Sequence, residues 1–188
     1  IWYLDTNKKI RITRAHLEED AGKTIHTLEG DALIDYNRCG APLLEIVSAP
    51  DMSSAEDALG YLKSLKEIIT SVKASDCDME KGNLRVDLNI SVMPKGSKQL
   101  GTRREVKNIN SFRNIEKAIH YEFINQSQKI EAGESIKQET LLWDDKKGVT
   151  RSIRSKEDAH DYRYFPEPDL PPLEIPDNLI KEIKKLIP

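Results

Sequence analysis

Four polar side chains alternate with apolar neighbours in two extended runs and could share one surface. Asp87 and Asn89 lie in the first run, and Glu105 and Lys107 lie on a common side of the second, residues 103–109. Pairing of the two runs as a hairpin would bring these polar faces together. Such a face could be a platform for phosphate and Mg²⁺, which prefers oxygen ligands, or an ordinary solvent-exposed sheet face.

A second acidic group follows a predicted strand near the start of the chain. Alternation places His16 and Glu18 on one side, and Glu19 and Asp20 complete three consecutive carboxylates before a glycine turn at Gly22. Adjacent like charges repel one another, so the group requires a cation, a basic partner or open water. A hard-metal site and a solvated acidic loop are both compatible with this pattern.

Two further segments could contact RNA. Lys95, Lys98, Arg103 and Arg104 flank the predicted hairpin and could bind phosphates, although a solubilising basic loop has the same composition. In the aromatic and proline-rich run 161–172, an arginine lies between two tyrosines and could stack on a base. A buried aromatic strand leading into a rigid linker is the other interpretation of that run.

Three amphipathic helices and several strands must position these residues. The spacing of apolar residues predicts helices over 58–72, 111–132 and from about 176 onwards. Capping is expected from Ser53 with Glu56, and the second helix is expected to bury Phe112, Ile115, Ile119 and Phe123. Period-two alternation predicts strands at 84–92 and 103–109, with shorter candidates at 10–17, 135–143, 149–153 and 161–165. The class is therefore α+β with a largely antiparallel sheet.

Composition limits the possible classes of protein. The 188 residues carry 29 basic and 32 acidic side chains, a net charge of −3, so the balance indicates no strongly basic nucleic-acid-binding chain. No apolar stretch reaches the ~18–20 residues of a membrane span, and Cys39 and Cys77 form no C-x-x-C pair. We expect a cytoplasmic or organellar-matrix protein with reduced thiols, and the first and last residues suggest a piece of a longer chain.

Six segments, taken in chain order, resemble a known family. They are HLEEDAGK (16–23), DYNRCGAPLLEIVSAPD (35–51), MEKGNLRVDLNISV (79–92), GTRREVKNINSFRNIEKAIHYE (101–122), QET (138–140) and KEDAHDYRYFPEPDLPP (156–172). The series resembles the GatB family, the B-type subunits of the glutamyl-/aspartyl-tRNA amidotransferases. The archaeal GatE paralogues share part of the pattern, but the sequence KNINSF is closer to that of GatB.

The resemblance implies an activity as well as a fold. The family activates the side-chain carboxylate of misacylated Glu-tRNA(Gln) or Asp-tRNA(Asn) with ATP and Mg²⁺, and then amidates it with ammonia. The ammonia comes from a glutaminase partner, GatA, and the small GatC protein joins the two; neither DNA nor a membrane is implied. Residues 1–172 would be most of the catalytic cradle domain, without its N-terminal part, and 173–188 the start of a helical domain. A non-catalytic tRNA-binding or scaffold module is the alternative.

The resemblance also carries site residues over by motif position. It implies metal ligands among His16, Glu18, Glu19, Asp87 and Glu105, with catalytic roles for Glu18, Asp87, Glu105 and Lys107 and phosphate contacts from Arg85 and Lys107. The family usually has arginine where this chain has Leu141 and Asn125. Chemistry alone assigns no role to the DYNR segment, and a tight turn that presents Arg38 to a tRNA acceptor end is one hypothesis for it. The chain alone is expected to be inactive.

Overall fold

The computed structural model describes residues 2–3, 8–27, 29–153, 169, 171 and 173–186. Two compact units divide the chain: the larger comprises Ile1–Leu17 and Leu44–Ser155, and the smaller comprises Glu18–Leu43 and Lys156–Pro188. The domain boundary near residue 172 remains a prediction.

Ten strands and three helices make up the described residues. The strands are β1 (Trp2–Tyr3), β2 (Lys9–Ile10), β3 (Ile12–Glu19), β4 (Lys23–His26), β5 (Ala32–Asp35), β6 (Pro42–Ser48), β7 (Val86–Ile90), β8 (Arg104–Ile109), β9 (Thr140–Asp144) and β10 (Val149–Ser152). The helices are α1 (Ala55–Ser71), α2 (Phe112–Glu131) and α3 (Asp177–Leu186). The α+β class is confirmed. Among the helices described, none is both long and apolar enough to cross a membrane.

A four-stranded sheet organises the larger unit, in the order β10-β9-β8-β7. The β7/β8 and β9/β10 pairs are antiparallel, whereas β8 and β9 are parallel. A parallel pair needs a crossover connection, and α2 supplies it between these two strands. Helix α2 contacts β7, β8 and β10, and α1 packs against α2. The core lies between the sheet and these helices and includes Leu88, Val106, Ile115, Leu141 and Trp143.

The helix boundaries agree with the sequence pattern, but two details of the prediction were wrong. The N-cap of α1 is Ser54, whose Oγ accepts a hydrogen bond from the backbone N of Asp57; the predicted Ser53/Glu56 capping box does not form. In α2, Phe123 is 56% exposed, and Glu122 occupies the buried face instead. The reason is a polar interaction: Glu122 finds buried cationic and amide donors that satisfy its charge.

A β-bulge interrupts the β7/β8 pairing. Val86 pairs with Ile109 and Leu88 with Val106, so two residues of β8 lie opposite Asp87. Asn108 has a positive φ of 64°, a conformation that asparagine adopts more readily than most residues, and its Nδ2 donates to the carbonyl of Trp143 at 3.3 Å. The alternation of β8 is therefore shifted at the bulge, so that Ile109 faces the core although Lys107 does not.

The smaller unit contains the β4/β5 hairpin, in which Lys23 pairs with Asp35 and His26 with Ala32. Strand β3 pairs with β6, and the division between the units falls inside both strands. Helix α3 begins at Asp177, as the sequence predicts, and its described residues are all exposed. The strand predicted at 161–165 lies outside the described residues.

Candidate functional site

The acid–lysine row consists of Asp87, Lys107 and Glu105 on the exposed face of the four-stranded sheet. Lys107 Nζ lies 2.8 Å from Asp87 Oδ2 and 3.3 Å from Glu105 Oε1, so one ammonium contacts both carboxylates. Asn89 is the direct cross-strand partner of Glu105 and is also exposed. The predicted hairpin therefore forms and brings its two polar faces together.

The electrostatics of the row keep Lys107 charged. Partial burial acts to lower the pKa of Lys107, but the hydrogen bond and charge of Asp87, with those of Glu105, outweigh it and raise the pKa above its ordinary value. The side chains of Asp87 and Lys107 remain 48% and 39% exposed, and that of Glu105 is 25% exposed. The row is thus a cation held between two carboxylates that solvent and ligands can reach.

The buried charge network lies on the opposite face of the same sheet and consists of Arg104, Glu122 and Glu139. Arg104 Nη1 donates to Glu122 Oε2 at 3.1 Å, and Arg104 Nη2 donates to Glu139 Oε1 at 2.5 Å. Glu122 also accepts from Gln126 Nε2 at 3.0 Å and from Thr150 Oγ1 at 2.5 Å. Glu122 is fully buried because these donors together replace its hydration.

This network corrects the interpretation of Arg104. Arg104 is only 5% exposed, so it belongs neither to a solubilising loop nor to a surface that contacts RNA phosphates. It points into the core because it pairs with Ile90 on β7 and alternates with Glu105. Lys95, Lys98 and Arg103 are exposed, and their contact with RNA remains a prediction.

The remaining predicted ligands lie on β3, which pairs with β6. His16 and Glu19 are exposed on β3, and Glu18 is half-buried. Glu18 and Glu19 fall in the smaller unit, whereas Asp87 and Glu105 fall in the larger one, so their convergence on one site remains a prediction. Within the described ranges, no group of three or more His, Cys, Asp and Glu side chains is arranged to hold a metal ion.

A cavity of about 530 Å³ opens at the end of the sheet where β8 and β9 terminate. Asn110 and Asp145, which follow these strands, line it together with Glu80, Arg113 and Lys117. Asp87, as the second residue of β7, lies towards the same end of the sheet because β7 runs antiparallel to β8. Arg85 immediately precedes β7 and is exposed. The cavity is therefore lined by carboxylates as well as by cationic and amide groups, and Lys117 Nζ lies 3.8 Å from Asp145 Oδ1.

The DYNR segment forms the predicted tight turn within the smaller unit. Gly40 has a positive φ of 77°, and its N donates to the carbonyl of Asp20 at 2.8 Å. Arg38 Nε lies 3.0 Å from Asp20 Oδ2, so this arginine ties the turn to the acidic run. The aromatic run 161–165 lies outside the residues described, and its contact with a base remains a prediction.

Sequence reasoning missed three residues that bear on the two faces of the sheet: Glu122, Glu139 and Thr140. Thr140 Oγ1 donates to Glu105 Oε2 at 3.0 Å, which adds a third strand to the acid–lysine row. The QET motif, residues 138–140, marks Glu139 and Thr140 as part of the family pattern. Nothing in the neighbouring sequence indicates that these two residues contact β8. At the departures from the family pattern, Leu141 is buried in the core and Asn125 Nδ2 lies 3.5 Å from Glu122 Oε1.

Comparison with known proteins agrees with the resemblance drawn from the motifs. The B-type subunit of the aspartyl/glutamyl-tRNA(Asn/Gln) amidotransferase of Caldicellulosiruptor saccharolyticus is 55% identical over 182 residues, which is 96% of this chain and 38% of that protein. The protein of the same name from Clostridium kluyveri is 54% identical over 186 residues, 99% of this chain and 39% of that protein. Its namesake from Trichlorobacter lovleyi is 53% identical over 184 residues, 98% of this chain and 39% of that protein.

The chain therefore spans less than two fifths of the length of these relatives. A sequence model of the family described as the GatB/GatE catalytic domain matches residues 2–181, which is nearly the whole chain. On this match, the chain belongs to the GatB/GatE catalytic-domain family.

Proposed function

We propose that this chain is part of a tRNA-dependent amidotransferase that activates a side-chain carboxylate with ATP and amidates it with ammonia. The substrates would be Glu-tRNA(Gln) or Asp-tRNA(Asn), as the names of the relatives suggest. The observation that carries the proposal is the exposed acid–lysine row, with Lys107 held between Asp87 and Glu105. It lies in a domain that the family description calls catalytic.

The reaction requires the carboxylate to be activated first, because a free carboxylate is a poor electrophile. A carboxylate oxygen attacks the γ-phosphorus of ATP and ADP leaves, which gives an acyl phosphate. Ammonia then attacks the acyl carbon, inorganic phosphate leaves, and the amide loses a proton. The protein must therefore bind a nucleoside triphosphate and a carboxylate close together while offsetting their negative charges.

The donor set of the acid–lysine row fits magnesium. Asp87 and Glu105 offer carboxylate oxygens to one cation, and their present cation is the ammonium of Lys107. Magnesium is usually held by one or two carboxylates, several waters and substrate phosphates, so Asp87 and Glu105 supply the number of carboxylates that a protein usually provides. When bound, it would offset charge on the phosphates. His16, Glu18 and Glu19 are the further ligands that we propose for this ion.

The cationic residues would hold phosphates. Lys107 is protonated at neutral pH, as an ammonium with an ordinary or raised pKa is, so it can pair with a phosphate oxygen once its carboxylates bind a metal. Arg85 precedes β7 on the same side as Asp87 by alternation, and we propose that it also contacts phosphate.

The whole protein would act with partners. We propose a glutaminase of the GatA type as the source of ammonia, a small GatC-type protein, and misacylated tRNA as the substrate. Cytoplasm in bacteria, or an organellar matrix, is the proposed location. The chain has the face that we propose to be catalytic but covers less than two fifths of the length of its relatives, so we expect it to be inactive alone.

The test replaces Asp87 by Asn in the full-length assembly. We expect Asp87→Asn to abolish amidation and ATP cleavage in the presence of Glu-tRNA, while glutamine hydrolysis by the partner persists. The melting temperature should change little, because the side chain is exposed and its loss opens no cavity. Asp144→Asn is the matched control, since Asp144 lies in the same sheet and pairs with Arg151 at 2.6 Å.

Each outcome decides between the proposals. Wild-type ATP cleavage in the Asp87→Asn variant would remove Asp87 from the site, and near-normal amidation would favour the non-catalytic tRNA-binding or scaffold module. A loss of activity that follows a lowered melting temperature would assign Asp87 a structural role. Equal loss in the Asp144→Asn control would show that the effect is not specific to the acid–lysine row.

A further inference from the structure

Thr140 is the first residue of β9 and the direct cross-strand partner of Glu105. Its Oγ1 donates a hydrogen bond of 3.0 Å to Glu105 Oε2. Directly opposed side chains on neighbouring strands have Cβ atoms close enough to interact, so this contact follows from the parallel register of β8 and β9. The contact joins a residue outside the predicted site to one of its carboxylates.

The two oxygens of Glu105 have different partners. Oε2 accepts from Thr140, whereas Oε1 lies 3.3 Å from Lys107 Nζ, the ammonium that also contacts Asp87 Oδ2 at 2.8 Å. A carboxylate that rotates freely would present either oxygen, or neither, towards Asp87. The hydroxyl of Thr140 fixes the carboxylate plane, and therefore selects Oε1 as the oxygen that faces the shared cation position.

The backbone holds Thr140 firmly in this position. The N of Glu105 donates to the carbonyl of Glu139 at 3.1 Å, and the N of Ile153 donates to the carbonyl of Thr140 at 3.1 Å. On the other side of the sheet, Arg104 is hydrogen-bonded to Glu139. The backbone of Glu139 is thus hydrogen-bonded to β8, and the backbone of Thr140 is hydrogen-bonded to the residue after β10. These bonds preorganise the hydroxyl of Thr140.

We propose that Thr140 is a positioning residue that orients Glu105 towards a divalent cation shared with Asp87. The inference rests on the proposed function, because it assumes that Glu105 and Asp87 hold a metal. Residues that hydrogen-bond a metal ligand commonly change metal affinity by roughly 10–100-fold when they are replaced. A neutral hydroxyl that contacts one oxygen should lie at the lower end of that range.

The experiment measures Mn²⁺ binding to the full-length assembly without tRNA or nucleotide, by electron paramagnetic resonance. We expect Thr140→Val to weaken Mn²⁺ binding about tenfold, while Thr140→Ser, which keeps the hydroxyl, stays within about threefold of the wild type. Glu105→Gln should weaken binding at least as much. The double variant should bind no more weakly than Glu105→Gln alone, because Thr140 acts through Glu105.

Thr150→Val is the matched control, since Thr150 makes the same kind of hydrogen bond from β10 to the buried Glu122. We expect it to lower the melting temperature and leave Mn²⁺ affinity unchanged. Thr140→Val should show the opposite behaviour, with altered affinity and a melting temperature close to that of the wild type. These two readouts separate a positioning role from a structural one.

The outcomes separate this inference from the proposed function. If Glu105→Gln leaves Mn²⁺ affinity unchanged, the metal site in the proposed function fails and the role of Thr140 fails with it. If Glu105→Gln weakens binding but Thr140→Val does not, only the role of Thr140 is overturned. Additive losses in the double variant would also overturn it, because Thr140 would then act independently of Glu105.

Discussion

The two faces of β8 carry the same arrangement of charges in opposite surroundings. On the exposed face, Lys107 lies between Asp87 and Glu105; on the buried face, Arg104 lies between Glu122 and Glu139. Each is one cation between two carboxylates. The Arg104 side chain is 6% exposed, whereas that of Lys107 is 39% exposed.

The comparison shows how surroundings separate a structural charge cluster from one that can bind a ligand. In the buried charge network, the guanidinium directs separate N–H groups at two carboxylates, and additional donors satisfy Glu122. No ligand can replace Arg104 without leaving a buried charge unpaired. In the acid–lysine row, water can solvate all three groups, so a metal or a phosphate can exchange with their present partners.

The largest effect should come from the buried cation. Arg104→Met should destabilise the protein by about 3–5 kcal/mol, because it leaves the buried carboxyl group of Glu122 without its principal partner. The melting temperature should fall by on the order of 10 °C. Urea and thermal unfolding of the full-length protein measure the change, with Arg103→Met at the exposed neighbouring position as the control.

A second variant makes this prediction specific to charge. Combining Arg104→Met with Glu122→Gln should recover part of the lost stability, since the buried site then holds no unpaired carboxylate. Equal unfolding midpoints for Arg104→Met and Arg103→Met would contradict the contrast between the two faces. Further loss in the double variant would indicate that packing, rather than charge, dominates the effect.

The exposed cation should show the reverse behaviour. Lys107→Met should lower amidation roughly 100-fold, the usual cost of losing one preorganised donor, while stability changes by less than about 1 kcal/mol. Steady-state amidation and thermal unfolding of the same preparation measure both. A melting temperature that falls as far as in Arg104→Met would mean that Lys107 is also structural, and the comparison would fail.

The smallest effect should be on the pH range over which Glu139 and Lys107 each contribute to stability. Burial acts to raise the pKa of Glu139, but hydrogen bonds from Ser152 and Arg104 outweigh it and lower the pKa below 4.5. Its stabilising contribution is therefore present above pH 4.5 and lost as the pH falls through the lowered value. The raised pKa of Lys107 implies a contribution present below pH 10.5 that is lost as the pH rises above it.

Melting temperatures across this range provide the measurement. The difference between wild type and Glu139→Gln should narrow on acidification below pH 4.5, and the difference from Lys107→Met should narrow above pH 10.5. Each difference should amount to about 1–2 °C at neutral pH. A Glu139→Gln difference that persists unchanged to about pH 2 would show that the carboxylate charge contributes nothing to the buried network.

The alternation of β7 was sufficient to predict the exposed face. Leu88 is buried and Asp87 and Asn89 are exposed, as a period of two requires, and the partner strand adds Glu105 and Lys107. These side chains meet because adjacent antiparallel strands share their faces. The membership of Glu18, Glu19 and His16 in the same site rests on family motifs alone.

The buried face could not be predicted in the same way. Charged residues are rarely buried unless paired, and the partners of Arg104 lie 18 and 35 positions along the chain. Placing them requires the parallel pairing of β8 with β9 and the crossover through α2, which a largely antiparallel expectation does not provide. Phe123 was predicted to be buried where Glu122 is, because apolar periodicity does not anticipate a buried carboxylate whose donors come from other elements.

The bulge at Asn108 changes which positions of β8 face the core, from even-numbered residues before it to odd-numbered residues after it. Before it, the even positions Arg104 and Val106 face the core; after it, the odd position Ile109 does. Without the bulge, regular alternation along β8 would turn Ile109, which lies two residues before Ser111, the N-cap of α2, towards solvent. A single inserted residue thus lets one strand end with an exposed Lys107 and still direct the next helix onto the core.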